Sequence, residues 1–286
     1  MNKIDRDGMV KKLLVGIAIA LSLLIGYYFI GANSQPIPPA LLKEPLKTHY
    51  LIDQEYLVDK QNLFATMGHL LVFNPGDRDA QLKVTLYFEN DEPQTFSLKA
   101  RAKTSSESNY ATWPVKPKPN SIFALKVESS EPVICQATTG WTNTDNVYAP
   151  DATTKSPKGI RETAQSYMAI NQLGQEWYIA DGIIINLPDK LWIKESEWAI
   201  LLNPGSQNAQ ITLLMYHGKK TVRKTMTIPP NRVKRVLMDD LVEANQRYGA
   251  RIQSDYPIAV QWLRRVYWYN SSELMTNWSI PAVLNR

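Results

Sequence analysis

The sequence predicts an all-β chain: two tandem β-sandwich (jelly-roll-like) domains behind a single N-terminal transmembrane helix. Three observations predict it. Short alternating apolar segments recur between turn residues, and neither repeat holds a segment with the length and period of an amphipathic helix. Two blocks of sequence echo each other in order and spacing. One long run near the N-terminus holds no charge at all.

Residues 1–12 are polar and carry Lys3, Arg6, Lys11 and Lys12, whereas Leu13 to Ile30 are uncharged. As a helix that run rises about 27 Å, close to the hydrocarbon thickness of a bilayer. Basic residues precede it and none follows until Lys43. The N-terminus is therefore expected in the cytoplasm, with the remainder outside the inner (plasma) membrane. Tyr27, Tyr28 and Phe29 suit the outer interface. A cleaved signal peptide competes, with Ala32-Asn33-Ser34 as its small-residue site. The length of the run favours a single-pass anchor over residues 13–32. Residues 33–49 are proline-rich and read as a semi-extended stalk.

The first repeat spans 50–148, with strands expected at His69–Phe73, Leu82–Phe88, Thr95–Ala100, Ile122–Val127 and Val133–Thr138. Trp113 to Pro119 holds three prolines and is excluded from any interior strand, because proline lacks the ladder donor. Residues 149–175 read as a linker, with a short periodic piece from Ile160 to Leu173 that fits helix or irregular strand. The second repeat spans 176–286. Its strands are expected at Trp177–Ile185, Glu197–Leu202, Gln210–His217, Thr221–Ile228, Arg232–Met238, Ala250–Gln253, Ile258–Trp268 and Met275–Ile280.

The duplication rests on two collinear echoes. Asn74-Pro75-Gly76 precedes the strand Leu82, Val84, Leu86 and ends on Tyr87. Asn203-Pro204-Gly205 precedes Ile211, Leu213, Met215 and ends on Tyr216. Ser129, Pro132 and Gln136 are matched by Ser254, Pro257 and Gln261 at nearly the same separation. Turn vocabulary alone does not produce matching order and spacing.

Further landmarks lie in the second repeat: Trp177-Tyr-Ile-Ala-Asp-Gly182, Leu202-Asn-Pro-Gly205, Ala209 to Tyr216, Ile228-Pro-x-x-Arg232 and Asp240-Leu241. The last is Ile252-Gln-Ser-x-x-Pro257-Ile-x-Val-Gln261-x-x-Arg264. In this order and spacing, residues 176–282 resemble the sensory rhodopsin transducer family, small β-sandwich proteins first met as soluble partners of a microbial rhodopsin. The first repeat is a diverged copy: Thr139 stands where Arg264 stands, and nothing matches Pro-x-x-Arg232. The resemblance implies the fold and a non-enzymatic binding or signalling role. It also implies that a pseudo-dimer within one chain replaces part of the family's small oligomer. A rhodopsin partner's face is cytoplasmic, whereas these domains are expected outside.

Chemistry-bearing patterns are few. His49, His69 and His217 are scattered, and Cys135 is the single cysteine, which excludes an intramolecular disulfide and a multi-cysteine metal site. No nucleophile elbow, phosphate loop or dinucleotide fingerprint is present, so no catalytic residue, metal or cofactor is assigned. Asp239-Asp240 reads as a polar cap before the Leu241 turn rather than as a hydrolase carboxylate. Six of the chain's eight tryptophans lie in the second repeat. Alternation on the last long strand places Trp262, Arg264, Val266 and Trp268 on one face. A guanidinium between two indoles suits a planar or sugar-ring ligand, and the alternative is that the indoles are core with Arg264 packed over them. Arg232 joins this candidate ligand set.

Net charge is +5, and its basic part concentrates in Lys219, Lys220, Arg223, Lys224, Arg232, Lys234 and Arg235. Such a cationic face suits anionic lipid headgroups or envelope polymers, or else protects solvated edge strands from pairing. The topology argues against nucleic acid. The expected function is a membrane-anchored, non-enzymatic binding or signal-relay module that takes a glycan or an anionic envelope component. The alternatives are an envelope assembly protein whose sandwiches serve as surfaces for envelope partners, and a degenerate carbohydrate hydrolase; a homo-oligomer through the sandwich domains is expected as a further partnership.

Overall fold

The computed structural model describes residues 46–56, 58–59, 64–118, 121–143, 163–187, 193–268 and 274–285. The expected tail, the expected transmembrane anchor 13–32 and most of the expected stalk lie outside the described residues, as does the first half of the expected linker. Among the described residues no helix is long and apolar enough to cross a membrane. Apart from one 3-10 turn, Tyr110–Thr112, their regular structure is strand.

Among the described residues, eight strands build the first repeat: β1 Leu46–Tyr56, β2 Val58–Asp59, β3 Phe64–Asn74, β4 Ala80–Phe88, β5 Gln94–Ala100, β6 Thr104–Asn109, β7 Ser121–Asn143 and β8 Thr163–Met168. Nine build the second: β9 Gly174–Ile184, β10 Asn186–Leu187, β11 Ile193–Asn203, β12 Ala209–His217, β13 Lys220–Ile228, β14 Arg232–Leu237, β15 Gln246–Trp268, β16 Leu274–Pro281 and β17 Val283–Leu284. In each repeat one strand of 23 residues serves both layers of the sandwich. The first half of β7 pairs with β1 and β4, and its second half with β3 and β8. β15 does the same with β9 and β12, then with β11 and β16.

This shared strand corrects the jelly-roll expectation, in which separate strands fill the two layers. It also merges two pairs of predicted strands. Ile122–Val127 and Val133–Thr138 are one strand, and so are Ala250–Gln253 and Ile258–Trp268. The Ser-x-x-Pro motif marks the corner between layers. The ladder to β9 skips from Gln253 to Ile258, because Pro257 has no N–H to donate there. Asp255 accepts from the Gln210 amide at 2.7 Å, and Ser130 does the same for Gln81 at 2.9 Å.

The Asn-Pro-Gly turns are alike atom for atom. Asn203 Oδ1 accepts from the Gly205 amide at 3.0 Å, as Asn74 Oδ1 does from Gly76. The same side chains donate to Gln207 O and Arg78 O at 2.8 Å. Register completes the match. Gln136 pairs with Leu71 and Gln261 with Ile200, three residues before Asn74 and Asn203 respectively.

Three boundaries are corrected. β1 begins at Leu46, inside the expected stalk, because Leu51 and Ile52 are fully buried and draw their strand onto β7. β8 lies inside the expected linker, where Tyr167 and Gln165 are buried against the first repeat. β6, Thr-Ser-Ser-Glu-Ser-Asn, was not expected. It is an edge strand of polar residues on both faces, Ser108 accepting from the buried Trp113 indole at 2.7 Å, so it lacks an apolar alternation.

The repeats share a core. Tyr50, Ile52, Tyr87, Ala124 and Ile170 of the first repeat are buried in one apolar cluster with Ile200, Leu202, Ala259 and Leu263 of the second. Three cations on β14 reach across this contact. Arg232 pairs with Glu92, Lys234 with Glu89, and Arg235 with the buried Asp53 at 3.5 Å.

Candidate functional site

Glu197 immediately precedes the apolar strand segment Trp198-Ala-Ile-Leu-Leu202 and is fully buried. Alternation along β11 turns Glu197, Ala199 and Leu201 inward. A carboxylate removed from water needs donors on each lone pair, and Glu197 has them. Its Oε1 accepts from the Ile183 amide at 3.0 Å and from Arg264 Nε at 2.6 Å. Its Oε2 accepts from Trp262 Nε1 at 3.1 Å and from the Tyr248 hydroxyl. Burial pushes the carboxyl above the usual glutamate range, against the pull of the Tyr248 hydroxyl, the Ile183 amide and Arg264. The same burial, with the charge of Glu197 beside it, raises the Tyr248 phenol.

Arg264 ties this interior to the surface. Its guanidinium lies 4.7 Å from the centre of the Trp262 ring and donates to the Asp181 carbonyl at 2.6 Å. Asp181 sits in the bulge of β9, where the ladder to β15 skips between Ile179 and Gly182. Outside, Asp181 pairs with Arg247 at 3.1 Å. Glu195 approaches Arg264 at 3.8 Å, and burial raises its carboxyl too. Asp239 Oδ1 accepts from the Glu197 amide at 2.9 Å.

Arg264 thus touches two carboxylates, but every lone pair of Glu197 is engaged. Trp262 is 8% exposed, and its one donor is spent on Glu197. The structure therefore brings Trp262 and Arg264 together as expected but turns them inward, around an acid the sequence reading left out. The signal for that acid was weak, since it is one of three charges at the head of β11, just before the apolar run Trp198–Leu202. Trp268 lies at the end of β15, and its side chain is outside the described residues.

Arg232 is not part of this cluster. It is registered with Asn203 on β11, whereas Arg264 is registered with Glu197, six residues and about 20 Å away along the strand. The expected cationic face also divides. Lys234 and Arg235 turn to acids of the first repeat. Lys219, Lys220, Arg223 and Lys224 lie on the β12–β13 hairpin. Gly218 opens that hairpin with a φ of 57°, a value a β-carbon disfavours. Lys220 is held by Glu243, while Lys219 and Arg223 are exposed.

The first repeat keeps the frame and changes the contents. Gly68 pairs with Thr139 where Glu197 pairs with Arg264, and Gln54 pairs with Phe123 where Gly182 pairs with Tyr248. A β-carbon on Gly68 would lie 1.9 Å from the Tyr110 ring, so that ring fills the space Glu197 takes in the second repeat. Tyr110 then donates to Gln54, which donates to Tyr167.

A family model described as Anabaena sensory rhodopsin transducer matches residues 48–150 and again residues 173–280, once over each repeat. Among solved structures, the crystal structure of Thermotoga maritima 1070 is 19% identical and covers 41% of this chain and 97% of its own, with a TM-score of 0.34. The Anabaena sensory rhodopsin transducer is 28% identical and covers 31% of this chain and 86% of its own, with a TM-score of 0.28. No curated protein matches the chain.

Proposed function

The chain belongs to the Anabaena sensory rhodopsin transducer family, and on that premise we propose that it is a membrane-tethered, non-enzymatic signal-relay module of the bacterial envelope. It works through protein contact rather than through a small-molecule pocket. The observation that carries this reading is the saturation of the Glu197 cluster. Trp262 and Arg264, the side chains best suited to hold a sugar, direct their polar atoms to Glu197 and the Asp181 carbonyl. They act as a staple that locks the β9 bulge to β15. The uncharged run Leu13–Ile30, with lysines and an arginine ahead of it, supplies the tether and the outward orientation of the domains.

An anionic envelope component remains a second reading, on the narrower surface of Lys219, Arg223 and Lys224. These are the expected cations that carry no ion pair among the described residues.

The test is Arg264→Lys in the full chain, which keeps charge and loses the planar fork. The relay reading expects a lower melting temperature and no change in binding to a panel of envelope glycans. An unchanged melting temperature together with lost glycan binding would reverse it. Orientation is read separately. A phosphatase fused after Arg286 is expected to be active, and activity of a cytoplasm-dependent reporter there would overturn the extracytoplasmic placement.

A further inference from the structure

The first repeat carries an apolar patch on its outer layer, beside the point where the chain enters the fold. Outward-facing residues run Phe73, Leu71, His69 on β3 and Ile134, Gln136, Thr138 on β7. Phe73 is 43% exposed, and Met168, registered with Gln136, is 50% exposed. Polarity rises along the sheet away from them. At the far end Thr138 and Ser166 share a hydrogen bond at 3.0 Å, and His69 pairs with Glu107. At the near end Phe73 is registered with Ile134, whose neighbour Val133 is registered with Leu46, the first residue of β1. Leu46 is itself 36% exposed.

The two copies use this layer differently. In the second repeat the equivalents of Leu71, Phe73 and Ile134 are Ile200, Leu202 and Ala259, fully buried in the core between the repeats. In the first repeat the layer faces away from that core, which is built on the other layer, with Tyr50, Tyr87 and Ala124. Contiguous apolar side chains that no described residue covers mark an interaction surface.

Two features say what meets it. The uncharged run ends at Ile30, and the residues between it and Leu46 reach at most about 55 Å when fully extended. A tether of that length holds the patch at a high effective concentration beside the bilayer. The charges next to Phe73, on the Asn-Pro-Gly turn and the loops it meets, pair among themselves. Arg78 lies 3.0 Å from Glu131, and Lys103 lies 2.5 Å from Asp77. An apolar surface with a self-neutralised rim fits the boundary between lipid headgroups and acyl chains, where burial rather than charge drives contact.

We propose that the Phe73, Ile134 and Met168 face of the first repeat rests in the headgroup region of the membrane that anchors the chain. The inference rests on the membrane-tethered reading. The patch is too small to hold a bilayer from free solution, so docking belongs to the anchored chain. It leaves the outer layer of the second repeat, which carries the exposed Tyr216, turned away from the lipid.

The experiment uses the full chain reconstituted into phosphatidylcholine vesicles that contain a lipid with a quencher near the headgroup end of its acyl chain. Met168→Cys and Tyr216→Cys chains are labelled with bimane. Cys135 is buried, with its thiol pushed up to about 12, and stays unlabelled. Quenching of about twofold or more is expected at Met168→Cys and none at Tyr216→Cys. Adding Phe73→Asp to the Met168→Cys chain should abolish the quenching with the melting temperature kept. Salt or added phosphatidylglycerol should leave it unchanged. An unquenched Met168→Cys label, equal quenching at both positions, or quenching that survives Phe73→Asp overturns the proposal. So does a blue shift of the Met168→Cys label without quenching that grows with the ratio of chain to lipid, which marks a second copy as the cover. A chain that does not float with the vesicles removes the tether and the inference together. One that floats with its label unquenched removes the inference alone.

Discussion

The two repeats share their strand pairings, except that the β17 contact on β9 is a single Ile170–Tyr50 bridge in the first, and they differ in what they place at the centre of the sandwich. In the second, an acid, a phenol, an indole and a guanidinium meet at Glu197. In the first, Gly68, Phe123, Ala137 and Thr139 hold the equivalent positions, and the polar contacts pass instead to Gln54, Tyr110 and Tyr167. A phenol hydroxyl enters both interiors, but from different elements: Tyr248 from the long strand and Tyr110 from the 3-10 turn. Backbone devices tolerate no substitute, because the Asn-Pro-Gly turn and the Pro corner depend on particular side chains and a missing donor. Interior contents can be exchanged as a set, provided volume and hydrogen bonds are kept together.

That comparison breaks most visibly at Glu197. Glu197→Ala leaves Arg264, Trp262 and Tyr248 without their shared acceptor and should lower stability by about 3–5 kcal/mol, read by urea unfolding. Thr139→Ala at the position equivalent to Arg264 should cost far less. Next in size is Gly68→Ala, whose new methyl would press on the Tyr110 ring and cost about 1–3 kcal/mol. Adding Tyr110→Leu should recover part of that loss, since the ring is what the methyl meets.

Much of this frame was legible in the sequence. The paired Asn-Pro-Gly and Ser-x-x-Pro motifs placed Asn74 with Asn203 and Gln136 with Gln261, and the registers agree. The equivalence of Thr139 with Arg264 was legible for the same reason. What escaped had physical causes. Pro132 and Pro257 interrupt alternation, so each bent strand read as two. The serines of β6 hide an edge strand. Alternation placed Trp262 and Arg264 on one face but could not say that this face turns inward, because the partner that decides it, Glu197, comes from another strand. The cations of β14 read as one patch with those of the hairpin because the acids they meet belong to the other repeat.

Smaller effects separate those two groups of cations. Glu89→Lys should cost about 0.5 kcal/mol by breaking its exposed pair with Lys234 across the repeats, and should leave the binding of phosphatidylglycerol vesicles unchanged. Lys219→Glu with Arg223→Glu should leave the melting temperature within a degree or two and abolish whatever vesicle binding the chain shows. The smallest effect is a pH trend. The Glu197 carboxyl is raised in the folded state, so its favourable contribution is complete below the ordinary glutamate range and is lost as pH rises through the elevated value. The melting-temperature advantage of the unmodified chain over Glu197→Gln should therefore narrow from pH 4 towards pH 7.

The central claim is that Arg264 and Glu197 form one buried structural unit rather than half of a ligand site. A double-mutant cycle over Glu197→Gln and Arg264→Met, followed by urea unfolding of the full chain, measures it directly. The account predicts a coupling energy of at least about 1.5 kcal/mol, because each side chain's cost depends on the other being present. Two costs that simply add, with a coupling near zero, would contradict it.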